Sequence, residues 1–170
     1  MQMTELFLGE LEREAKGTRR ALERVPDNRN EWQPHVKSMT LGRLANLVAG
    51  MPGWVAMMVN QDSLDVAPVG GNPNAPTELR TSRELLALHD RNVATARAAL
   101  AATTDAHLMT TWKMLAAGHV VSEKPRHIML RDGCFNHLAH HRGQLTVYLR
   151  LLDAPVPAIY GPSADDARMD

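Results

Sequence analysis

The residues best suited to chemistry lie in one short segment near the C-terminus, HLAHHR at positions 137–142. His137 and His141 are four residues apart, so on a helix their imidazoles project from one face, one turn apart. Two imidazoles at this spacing can bind one metal ion, as in the H-x-x-x-H half of helical zinc sites. Because a metal site normally needs three or four ligands, two buried histidines held by hydrogen bonds explain the pattern equally well.

Helical phase distinguishes the three histidines of this segment. With about 100° of rotation per residue, the apolar residues of the predicted last helix form one stripe, which comprises Leu130, Cys134, Leu138, Leu145, Tyr148 and Leu152. His141 lies in the middle of this stripe and His137 at its edge, whereas His140 lies well outside it. The sequence therefore predicts that His137 and His141 face the interior together.

Two further side chains are candidate ligands for the same interior site. Cys134 lies on the same stripe as the pair, and its thiolate would be a soft metal ligand. His89 falls on the inner face of the predicted third helix, together with Leu85, Ala96 and Leu100. For Cys134 and for His89, an ordinary buried residue remains the simpler interpretation.

Four long helices are predicted to position these residues, at 4–25, 40–60, 81–102 and 125–153. Apolar residues recur in them at spacings of three and four, which is the helical pattern. Pro52 falls inside the second helix and predicts a kink, and Thr81 with Glu84 predicts a capping box at the start of the third. Residues 62–80 are rich in Pro, Gly and Asn and predict a long loop. Residues 110–122 fit either a small hairpin or a short helix followed by a loop.

Composition and length narrow the class of protein. Because no long strand is predicted, we expect an all-α four-helix bundle with long loops, as one domain over residues 1–170. The 19 basic and 19 acidic residues give a formal net charge of zero, and no basic patch suggests nucleic acid or an anionic membrane as a partner. The lone Cys134 fits a reducing compartment, and neither a secretory signal nor a membrane span is evident. A cytoplasmic protein is therefore predicted.

The sequence resembles the DinB-like (DinB/YfiT-like) superfamily, whose members are described as metal-dependent enzymes related to thiol-dependent S-transferases. The resemblance covers most of the chain. Its strongest part is NHLAHHRGQLTVYLR at 136–150, followed by PVP at 155–157 and YGPSAD at 160–165. Further matches are WQPH at 32–35, SMTLGRLA at 38–45 and MPGW at 51–54.

The resemblance implies an up-down-down-up four-helix bundle, often a homodimer, with a metal site of three histidines. Two of these correspond to His137 and His141. The third belongs to the second helix and aligns with position 47, where this chain has Leu47. Leucine cannot bind a metal, so the remaining pair would hold zinc or nickel only weakly unless His89, Cys134 or an acidic group completes the set. A site without metal is therefore the favoured expectation.

Two functions of different classes follow from these observations. The first is a metal-assisted thiol transferase or hydrolase with His137 and His141 at its centre and an incomplete metal site. The second is a non-catalytic bundle that binds a small molecule or serves for dimerisation. Helical phase predicts an apolar pocket beside the pair, lined by Leu47, Met51, Trp54 and Tyr148, which suits a small, partly apolar ligand.

Overall fold

The computed structural model describes residues 2–71 and 78–168 of the chain. Three long helices and several short ones form most of this part. The helices are α1 (Met3–Leu22), α2 (Leu41–Gly50), α3 (Pro52–Asn60), α4 (Ser82–Ala102), α5 (Asp105–Leu108), α6 (Arg126–Leu130) and α7 (His137–Leu151). The strands are β1 (Ser63–Asp65), β2 (Thr111–Ala116) and β3 (His119–Pro125).

The first half of the bundle follows the local signals of the sequence. The predicted second helix divides into α2 and α3, because Pro52 cannot continue the hydrogen-bond ladder but suits the first position of a new helix. The capping box at α4 is confirmed: the Thr81 side chain accepts from the backbone of Glu84, and the Glu84 carboxylate accepts from the backbone of Thr81. Positions 72–77 of the predicted loop lie outside the described residues.

The prediction of an all-α fold is wrong. The described residues are 56% helical, and they also form a mixed three-stranded sheet in the order β1-β2-β3. Strands β2 and β3 form the hairpin that the sequence left open, around a tight turn in which Ala117 and Gly118 both have positive φ. Strand β1 pairs in parallel with β2, Leu64 opposite Met114. A strand of three residues is too short to show a periodicity, so only this long-range pairing reveals it.

The predicted last helix is continuous but not uniform. Between α6 and α7, residues Arg131–Asn136 form a π-helical segment, a form that often marks functional sites. A Cβ on Gly133 would lie 3.1 Å from the Met58 methyl group, so glycine lets this segment approach α3 closely. The π-helical segment ends at Asn136, directly before His137, the first residue of the histidine pair.

The core forms two apolar clusters along the bundle. One joins α1, α3, α4 and the π-helical segment, where Phe7 stacks on Phe135 with ring centroids 5.7 Å apart. The other joins the end of α1 with α2 and α7. Trp54 packs against both clusters and so lies at their junction, beside α7. Among the described helices, none is sufficiently long and apolar to cross a lipid bilayer.

Candidate functional site

The imidazoles of His137 and His141 are in direct contact, with their Nε2 atoms 2.8 Å apart. The Nδ1 atom of His141 lies 2.8 Å from Oε1 of Gln144, whose amide nitrogen faces His140. Gln144 therefore accepts a hydrogen bond from His141 Nδ1. His137 Nε2 faces His141 Nε2, and a backbone hydrogen bond at Gly133 raises the pKa of His137 slightly, against the larger effect of burial.

Because His141 Nδ1 donates to Gln144, the Nε2 lone pair of a neutral His141 faces His137 and can accept a hydrogen bond. Partial burial, together with the neighbouring His141, lowers the pKa of His137 below the usual 6.5. His137 is therefore protonated less readily than a free imidazole.

His137 lines a cleft of about 380 Å³ that we call the sheet cleft, between α3, the π-helical segment and the small sheet. Its other lining is mostly apolar and consists of Trp54, Met57, Met58, Leu64, Val66, Trp112, Met114 and Met129. Lys124 and Asp132, whose side chains are 3.2 Å apart, form a polar part of its rim. The arrangement is an apolar cleft with one acid-base group, which is typical of small-molecule sites.

The other candidate ligands lie elsewhere. Cys134 is buried and donates to the Met51 carbonyl at 3.3 Å, and burial raises the pKa of its thiol to about 12, so the thiol stays protonated. His89 is also buried, but it faces a separate cleft beside α1, with Lys16 and Arg19. Residues 2–71 and 78–168 contain no group of three or more His, Cys, Asp or Glu that could hold a metal ion. The donors present therefore do not fit a three-histidine metal centre.

The four predicted pocket residues divide between surface and core. Leu47 and Trp54 line a second cleft, between α2 and α4. Trp54 also lines the sheet cleft, and its ring centroid is 5.8 Å from that of His137. Met51 is fully buried, and Tyr148 is in the core, where its hydroxyl donates to the Met39 carbonyl at 3.1 Å. Trp54 is thus the residue that both clefts share.

Sequence reasoning missed a buried ion pair on the other side of α7. Arg142 is only 1% exposed, and its guanidinium lies 2.7 Å from the Glu14 carboxylate. It also donates to the Thr18 hydroxyl, and the Tyr160 hydroxyl donates to Glu14 at 2.8 Å. The buried face of α7 contains Arg142 together with the leucines. It is therefore rotated from the predicted face, and His141, predicted in its middle, lies at its edge and is only partly buried. The sequence did contain one signal for this pair: Arg142 falls on the apolar stripe of its helix, and a charged residue at such a position predicts a buried partner of opposite charge.

Replacing His89 with leucine is expected to reduce the acid sensitivity of the fold. Burial lowers the pKa of His89 below 6.5, so the unfolded state binds more protons and stability is lost as pH falls below that value. Chemical denaturation between about pH 7.5 and about pH 5.5 should show a smaller loss in the variant than in wild type. The exposed His119→Leu change is the control, and equal losses in His89→Leu and wild type would contradict the prediction.

A helical bundle with a histidine pair on its last long helix and a small sheet beside it defines the class of this protein. The model of the DinB family matches residues 1–169, so the chain belongs to the DinB family. The resemblance seen in the sequence is thereby confirmed. No functionally curated protein matches the sequence.

Two solved structures share this fold. A DinB-like protein from Bacillus cereus is 22% identical, with a TM-score of 0.71, over 92% of this chain and 97% of that one. A DinB-like protein from Bacillus subtilis is 18% identical, with a TM-score of 0.65, over 86% of this chain and 91% of that one. At these identities the similarity concerns the fold alone.

Proposed function

We propose that this DinB-family protein binds a small, mostly apolar molecule carrying one weakly acidic group, such as a thiol, in the sheet cleft. The acidic group donates a hydrogen bond to an Nε2 atom of the His137–His141 pair and keeps its proton. The observation that carries the proposal is the pair of imidazoles, with Nε2 atoms 2.8 Å apart, of which His137 lines a mostly apolar cleft.

The apolar lining supplies most of the binding free energy in this proposal. Burying apolar surface contributes about 25 cal/mol per Å², and the sheet cleft presents Trp112, Met114 and Met129 to the ligand. The histidine pair then selects among apolar molecules. A ligand that carries a donor can hydrogen-bond an imidazole nitrogen of the pair, whereas a ligand without one cannot.

The test compares two probes that differ in one group, phenylmethanethiol and toluene. Trp54 and Trp112 line the sheet cleft, so their fluorescence reports occupancy. We expect the thiol to bind about twofold to tenfold more tightly, because a hydrogen bond contributes about 0.5–1.5 kcal/mol. In the His137→Gln/His141→Gln variant this preference should disappear while toluene binds as before.

The control is His119→Gln, which changes an exposed histidine on β3 outside the cleft. It should keep the full preference for the thiol. Equal affinities of the two probes for the wild-type protein would overturn the proposal. So would an unchanged preference in the double variant, since the selecting group would then lie elsewhere.

A metal-assisted thiol transferase or hydrolase is the second candidate. It is favoured by the close approach of the two Nε2 atoms, which as neutral imidazoles are zinc or nickel ligands. It requires a third ligand, and Leu47 occupies the position where the family resemblance places one. The homodimer implied by the same resemblance stays a prediction.

A further inference from the structure

The cleft between α2 and α4 has a composition unlike that of the sheet cleft. It encloses about 680 Å³ and combines apolar side chains with two arginines, Arg43 from α2 and Arg91 from α4. We call it the arginine cleft. Leu47, Trp54 and Leu88 form its apolar part. Because it shares only Trp54 with the sheet cleft, it is a separate place for a ligand.

The two guanidinium groups are available to a ligand. Both arginines are exposed, and neither has an ion pair or a side-chain hydrogen bond to another described residue. Arginines elsewhere are often paired, as Arg97 is with Glu12 and Arg142 with Glu14. Two unpaired cations beside apolar surface attract an anion that also has an apolar body.

The other polar groups of the arginine cleft are largely occupied. Asn46 bonds the backbone of Leu79 through both its oxygen and its nitrogen, and Asn92 donates to the carbonyl of Gly50. Glu78 is the one acid of the lining, and its carboxylate packs against Gly42 at the α2 wall. Two arginines against one glutamate leave the described lining with a net positive charge.

We propose that the arginine cleft binds an organic monoanion, a carboxylate or sulfonate on an aromatic or aliphatic body. Arg43 and Arg91 hold the anionic group, since the guanidinium fork matches such oxygens geometrically. The apolar body lies on Leu47, Leu88 and Trp54. Leucine at position 47, where the family resemblance places a metal ligand, thereby serves as part of an apolar binding surface.

The test uses two fluorescent probes with one aromatic body. The anion is 8-anilinonaphthalene-1-sulfonate, and N-phenyl-1-naphthylamine lacks the sulfonate. We expect Arg43→Gln and Arg91→Gln each to weaken sulfonate binding about tenfold, because each removes one charge-assisted hydrogen bond. The affinity for the uncharged probe should not change in either variant.

Arg83→Gln is the matched control, since Arg83 is exposed on α4 but does not line the cleft. It should leave both affinities as in wild type. Unchanged sulfonate affinity in the Arg43→Gln/Arg91→Gln double variant would overturn the proposal. Equal weakening of both probes would also overturn it, because the arginines would then shape the cleft rather than recognise charge. Neither result would affect the thiol preference assigned to the sheet cleft.

Discussion

Replacing Arg142 with methionine is expected to lower the free energy of unfolding by about 3–5 kcal/mol, since it leaves a buried carboxylate without its partner. Glu14 has a side chain only 8% exposed, so water cannot replace the lost guanidinium. The same change removes the hydrogen bond to Thr18 and the stacking of the guanidinium 5.0 Å from the Tyr160 ring centroid. Denaturant titration followed by circular dichroism measures the effect.

Two controls separate burial from charge. Arg97→Met breaks the surface ion pair with Glu12, in which both side chains are about half exposed, and should cost at most about 1 kcal/mol. The double change Glu14→Leu/Arg142→Met replaces both buried charges with apolar groups and should recover much of the lost stability. A loss for Arg142→Met as small as that for Arg97→Met would contradict the prediction.

Replacing Leu47 with histidine is expected to raise the affinity for zinc by about 100-fold. Structural zinc sites with four ligands gain about 10–16 kcal/mol, or about 3 kcal/mol for each ligand, and 1.4 kcal/mol is tenfold in affinity. The resemblance places a histidine at this position in related proteins, as the third ligand beside the H-x-x-x-H pair. Isothermal titration of the metal-free protein with zinc measures the change.

The gain should depend on all three imidazoles. Leu47→Asn matches leucine in size without supplying an imidazole, and it should leave zinc binding as in wild type. Adding His141→Ala to Leu47→His should abolish the gain, because only two imidazoles then remain. If Leu47→His and Leu47→Asn bind zinc equally, position 47 does not face the pair in this chain.

Local sequence signals predicted the helices well. The break at Pro52 and the capping box at Thr81 each depend on residues within one turn of each other, so the sequence contains them directly. The contact between His137 and His141 was also predictable, because residues four apart on a helix are neighbours whatever the rest of the fold. Family membership followed from the longer motif around this pair.

The features that sequence could not predict are nonlocal. Leu64 joins the sheet only through pairing with Met114, fifty positions along the chain, and nothing in its own neighbours indicates a strand. The apolar wall of the sheet cleft depends on that pairing, so the cleft was not foreseen. Arg142 was overlooked because its burial depends on Glu14, from the opposite end of the sequence.

The short strand β1 also has a consequence for local stability beside the sheet cleft. It pairs with β2 over three residues, of which Ser63 and Leu64 are exposed, and flanking backbone hydrogen bonds run from Lys113 to Asp62 and from Val66 to Leu115. Backbone amides in short, exposed segments open locally at lower free energy than those of long helices. We therefore expect hydrogen exchange to be faster in β1 than in α1, α4 and α7.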